Sequence, residues 1–144
     1  MDDSELLRRF ETQAIPHAEW RHRDHLKVAY LYLTRHDFDT AATRMREGIQ
    51  ALNASHGGED SLAVGYHETL TIAWLTVVAA MIAEYGPGAS ADEFLDSQPQ
   101  LCQKNLLRMF YSRDRIMTPE AKARFVEPDL APLPRKRRVA EPAG

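Results

Sequence analysis

The chain has 144 residues, 44% apolar and 27% charged, with 18 Lys+Arg against 21 Asp+Glu and one cysteine. This is the composition of one folded domain, long enough to bury a core without disulfides or a structural metal. Cys102 alone excludes a disulfide framework and a four-cysteine zinc module, which leaves histidine and carboxylate as the strong metal ligands present in quantity.

The last ten residues contribute +3 to a net charge of −3, so residues 1–134 carry −6. An acidic body argues against nucleic acid as the main partner, because phosphate backbones need a basic face. Arg135-Lys136-Arg137-Arg138 reads as a solvated, frayed tail (135–144) behind a single helical domain (1–134). Met1 to Phe10 is acidic and then amphipathic, without the apolar core of a signal peptide, and a cytoplasmic protein is expected. The longest charge-free stretch, Thr69 to Ala83, is 15 residues, short of the roughly 18 that suggest a membrane span. It reads as a buried helix.

No internal repeat and no strand-like alternation is visible, and the elements are helical throughout. A first helix is expected over about Ser4–Glu11, with Leu6, Leu7 and Phe10 as its apolar side. Pro16 suits the first position of a second, running to about Arg35. Asp37 or Asp39 caps a third, whose Phe38, Ala42, Met45, Ile49 and Leu52 form one stripe. Asn53–Ser61, with Gly57-Gly58, is a loop. A fourth helix, about Tyr66–Tyr85, ends at Gly86-Pro87-Gly88. It is apolar on nearly every side, with Ala73, Thr76, Ala80 and Ala83 as a small-residue line, and is the expected centre of the bundle. Ser90 and Glu93 mark a capping box for a short fifth helix, Pro99 opens a sixth, and Thr118-Pro119-Glu120 starts a last turn to about Arg124. Residues 127–134 carry too much proline for a helix and predict an extended segment across the bundle, held by Phe125, Leu130 and Leu133.

Six histidines occur, and three stand where their chemistry matters. His22 and His25 are three residues apart, neighbours on one helix face, in the sector of Leu26, Ala29 and Leu33. His67 shares a stripe with Thr71, Trp74, Val78, Met81 and Tyr85 on the central helix. Three inward imidazoles from two helices, each near its helix N-terminus, predict convergence on a metal. Neutral imidazole suits zinc, the first expectation, and nickel, copper or iron equally by ligand type. Glu68, rotated about 100° from His67, is either a fourth ligand or a nearby base. The alternatives are a metal-free His/Glu pocket and a set of histidines that only satisfy hydrogen bonds.

Glu19, three residues before His22, resembles half of a di-iron Glu-x-x-His pattern, but the second copy is missing, as is the zincin pattern. Arg108, Tyr111 and Arg115 read as contacts for a carboxylate or phosphate on a substrate, or as caps of a helix C-terminus. Trp20 and Tyr66 are candidate aromatic walls, and Tyr66 also a catalytic candidate beside Glu68. No phosphate loop, dinucleotide fingerprint or serine elbow is present, which argues against ATP, NAD and serine-hydrolase chemistry.

Trp20-x-His22-x-x-His25-Leu26, Gly65-Tyr66-His67-Glu68-Thr69, Tyr111-Ser112 and Phe125-Val126-Glu127-Pro128-Asp129-Leu130 together resemble a family of small, largely uncharacterised bacterial proteins with the same motif order. The resemblance spans the chain to about Pro134 and implies that these segments form one unit, the C-terminal extended segment included. It implies no particular activity or cofactor.

The expectation is an all-α bundle of five or six helices acting as a small metal-dependent hydrolase, lyase or isomerase on a small polar molecule. His22, His25 and His67 are the expected ligands, Glu68 and Tyr66 the expected catalytic groups. A non-catalytic ligand- or protein-binding module is the alternative. No nucleic-acid or membrane partner is expected, and a homodimer is compatible with the sequence.

Overall fold

The computed structural model describes residues 1–61 and 64–135; most of the basic tail, from Lys136 on, lies outside them. Among the described residues the chain forms seven α-helices and three short 3-10 turns: α1 (Asp3–Glu11), α2 (His22–Arg35), α3 (Phe38–Ser55), α4 (Glu68–Tyr85), α5 (Ala91–Ser97), α6 (Arg113–Ile116) and α7 (Pro119–Ala123). The expected all-α bundle is formed, with α4 at its centre and an extended segment after α7.

Side-chain caps start most helices where the sequence places them. Asp2 accepts from the Glu5 N–H at 2.7 Å, Asp37 from Thr40 at 2.8 Å, Ser90 from Glu93 at 3.1 Å and Thr118 from Ala121 at 3.0 Å. Each satisfies an N–H that the first helical turn leaves without a partner. Several boundaries differ from expectation: α3 runs on to Ser55, into the predicted loop, α4 starts at Glu68 rather than Tyr66, and two changes are larger. The helix predicted from Pro16 is a 3-10 turn, His17–Glu19, and α2 begins only at His22. The Arg21 N–H donates to the Asp24 carboxylate at 3.0 Å, which holds Arg21 extended as the cap. The helix predicted from Pro99 is split into the 3-10 turns Pro99–Cys102 and Leu106–Met109 followed by α6. The polar run Gln103-Lys104-Asn105 breaks it, and Ser112 caps anew.

Helices α2, α3 and α4 pack against one another in pairs, α1 and α5 cover α2, and α7 closes on α4. Phe10 is fully buried, stacked on Trp20 at 5.3 Å between ring centroids. Gly48 on α3 makes room for it, since a Cβ there would lie 2.2 Å from the ring. By length and composition α4 passes as a membrane-spanning helix; in the fold it buries Ala73, Leu75, Val77, Val78 and Ala80. The small-residue line is only half used, with Ala73 and Ala80 buried and Ala83 exposed.

The extended segment is tied down by hydrogen bonds more than by the side chains expected. Tyr111 Oη donates to the Val126 carbonyl at 2.7 Å, Leu130 N–H to the Phe110 carbonyl at 2.9 Å, and Ser112 N–H to Asp129 at 2.8 Å. Leu133 is buried and Phe125 half-buried, whereas Leu130 is 58% exposed. Thr69, fully buried on α4, is the hinge of this contact: its hydroxyl donates to the Arg124 carbonyl at 2.9 Å and accepts from the Val126 N–H at 3.1 Å.

Candidate functional site

A cavity of about 690 Å³ lies between α2, α3 and α4. Its floor is apolar and buried, built by Leu26, Ala29, Met45, Ile49 and Leu75. Its rim is exposed, with His17, Glu59, Val64 and Lys104. Between them stand both tryptophans, Trp20 and Trp74, and the histidines 22, 25, 56 and 67. Five of the chain's six histidines therefore border one space. His17 and His56 were not singled out by the sequence: each is isolated in a turn, and no spacing relates two residues so far apart. Their rings meet edge to face at 5.4 Å.

The three predicted ligands all line this cavity, but their nitrogens are not gathered on one point. Among the described residues no group of three His, Cys, Asp or Glu side chains is placed to hold a metal ion. The three rings differ in what they already bind. His67 is not inside α4 but is its cap, in extended conformation; its Nδ1 accepts from the Leu70 N–H at 3.1 Å. Its Nε2 faces the Ile116 carbonyl oxygen at 2.9 Å, and since a carbonyl only accepts, Nε2 carries the proton. Both nitrogens of His67 are engaged.

His22 is tied at one nitrogen only. Its Nε2–H donates to the Leu101 carbonyl at 3.0 Å, which leaves Nδ1 as a lone pair without a partner among the described residues, and the ring meets Trp74 at 4.7 Å. His25, one turn on, has no hydrogen-bonding partner at either nitrogen among the described residues, and its ring lies 4.1 Å from that of Trp20. Burial pushes His25 down to about pKa 4, with the neighbouring His22 adding a smaller push. Burial also lowers His22 and His67, against the opposing pull of their carbonyl partners. All three imidazoles are neutral at pH 7.

Glu68 and Tyr66 form a separate cluster. Arg46 grips the Glu68 carboxylate at 2.8 and 2.7 Å, and Tyr66 Oη donates to the same oxygen, Oε1. The Arg46 guanidinium holds the Glu68 carboxyl below the usual carboxylate range, and burial raises the Tyr66 phenol. Glu68 borders a second depression of about 570 Å³, with Arg46 and Lys122, rather than the histidine cavity; Tyr66 stands in the wall between the two. A carboxylate paired in this way is a poor general base near neutral pH. The predicted fourth ligand or base is thus turned away from His67.

Arg108, Tyr111 and Arg115 lie at neither depression. Tyr111 is buried with its hydroxyl on Val126, and Arg115 Nε–H donates to the Glu127 carbonyl at 3.0 Å. Both hold the extended segment, and Arg108 is exposed. Of the three predicted substrate contacts, Tyr111 and Arg115 are thus engaged by the returning segment and Arg108 is exposed. Comparison with protein-family models, with curated proteins and with solved structures finds no match to this chain.

Proposed function

We propose that the chain is a small-molecule-binding domain whose ligand enters the cavity between α2, α3 and α4. One observation carries this reading: a cavity within the 300–1,000 Å³ range typical of ligand sites has an apolar buried floor and unengaged imidazole nitrogens in its wall. Neutral histidines supply hydrogen bonds there without the cost of a buried charge. Because both tryptophans of the chain line the cavity, their fluorescence reports its occupancy. A screen of small aromatic and aliphatic compounds should yield binders that shift this fluorescence, with the shift lost in Ala29→Leu, whose extra carbons fill the floor. Binding that survives Ala29→Leu in a folded protein would place the ligand elsewhere and defeat the reading.

A metal-dependent enzyme is a second reading, favoured by His22. A backbone carbonyl on one imidazole nitrogen with the other left bare is the usual outer-shell arrangement of a metal ligand. Zinc, nickel, copper or iron held by His22 and His25 would need a third donor, from a ligand or from His67 after it releases the Leu70 N–H. Metal analysis of protein purified without chelators, repeated on His22→Ala, separates the two: about one equivalent lost in the variant supports the enzyme, and none after reconstitution removes it.

A further inference from the structure

The polar groups of the cavity divide into those the fold has engaged and those it has left free. His67 is engaged at both nitrogens, the Thr71 hydroxyl donates to the His67 carbonyl at 2.9 Å, and His56 Nε2–H donates to the Ile15 carbonyl at 2.7 Å. On the α2 side, His22 Nδ1, both nitrogens of His25 and the indole N–H of Trp20 have no hydrogen-bonding partner among the described residues; across the cavity His56 Nδ1 and the Asn53 amide have none either. Trp20 Nε1 is the one buried side-chain nitrogen or oxygen without a partner among the described residues. The unpaired nitrogens of His22 and His25 are therefore not sealed, and they border the cavity.

These free groups form one wall. His22 and His25 sit on successive turns of α2, and the Trp20 ring lies against His25. The wall offers a donor, at one His25 nitrogen, beside acceptors, at His22 Nδ1 and the other His25 nitrogen, while the Trp20 N–H is sealed by burial. The wall itself carries no charge; the charged lining residues Glu59 and Lys104 stand at the exposed rim, with Lys104 near enough to disfavour a charge on His22. A carboxylate has no hydrogen to give His22 Nδ1 and an ammonium has no lone pair for the His25 N–H, so either leaves one of these groups unpaired. An edge that carries an acceptor next to a donor satisfies both. Trp74, Tyr66 and the apolar floor add flat surfaces suited to a planar ring.

We propose that the cavity takes an uncharged, planar nitrogen heterocycle with a lactam edge, its carbonyl accepting from the His25 N–H and its ring N–H donating to His22 Nδ1. This rests on the reading of the cavity as a ligand site and adds the ligand's chemical class.

Calorimetric titration of the full chain with 2-quinolone, 1-methyl-2-quinolone, quinoline and quinoline-2-carboxylate tests it, since the four share one ring frame. The expected result is that 2-quinolone binds at least tenfold more tightly than the N-methylated lactam, which has lost its donor, and than the carboxylate. In His25→Leu, checked for its helical circular dichroism, 2-quinolone affinity should fall about tenfold while quinoline affinity changes less than twofold. The ligand series on the unaltered protein decides the matter even if that variant does not fold. Equal affinities for all four, or a preference for the carboxylate, overturn the lactam assignment and leave the cavity standing as a ligand site. No binding by any of the four overturns the assignment, and the fluorescence screen then decides whether the cavity reading falls with it.

Discussion

The His67 ring joins two parts of the fold that are distant in sequence: Nε2–H reaches the Ile116 carbonyl at 2.9 Å while Nδ1 holds the Leu70 N–H at the start of α4. A residue in that position is a cap and a strut. His67→Ala should cost about 2 kcal/mol, roughly 1 for the cap and roughly 1 for the strut. His67→Asn keeps a side-chain acceptor for the cap and should recover about half of it. Urea unfolding of the two variants decides this, and an Asn variant no more stable than the Ala variant would sink the assignment of Nδ1 as the cap.

Stability should depend on pH through His25. Its folded pKa, about 4, is below the unfolded value of 6.5, so the unfolded chain binds the proton more readily. The contribution is fully present above pH 6.5 and is lost as pH falls toward 4, amounting to about 2 kcal/mol by pH 5. His22 and His67 act in the same direction. Urea midpoints compared at pH 7.5 and pH 5 should drop sharply in the native chain and much less in His25→Gln. Equal drops would show that His25 is not the group that titrates.

The all-helical plan was legible because it is written locally. Asp37, Ser90 and Thr118 are short polar side chains followed by helix formers, and each caps the helix expected of it. The interruptions were not legible, since the break at Arg21 depends on a backbone N–H finding Asp24, and the break after Cys102 on how a polar run meets the bundle. The histidines illustrate the same limit. Helix phase placed His22 and His25 on the cavity side, but a shift of two residues in the start of α4 made His67 a cap. Phase also rotated Glu68 away from His67, without revealing that Arg46, from α3, was waiting for it. His17 and His56 reached the cavity through tertiary folding alone.

Gly48 should not tolerate a methyl group. The Cβ of Gly48→Ala would sit 2.2 Å from Phe10 Cε2, and Phe10 is itself locked between Trp20 and Tyr32. Overpacking of this kind costs about 1–3 kcal/mol. Since Trp20 borders the cavity, the displaced Phe10 ring should also change the tryptophan emission of the folded variant. An Ala variant with the native unfolding midpoint and native emission would show that the ring has room to move.

Glu68 should matter for folding and not for ligand binding. Its carboxylate is 13% exposed, while Arg46 is 36% exposed, so the pair is screened on one side only. Glu68→Gln keeps the shape, removes the charge and leaves Arg46 without its bidentate partner, for an expected loss of about 2 kcal/mol, below the range for fully buried pairs. Arg46→Met should cost about as much, and the double variant less than the two losses together, because each single change already breaks the pair. Affinity for any cavity ligand should stay within twofold in Glu68→Gln, since the carboxylate borders the other depression. A tenfold loss of affinity in that variant with its fold intact would return Glu68 to the site and restore it as a candidate base.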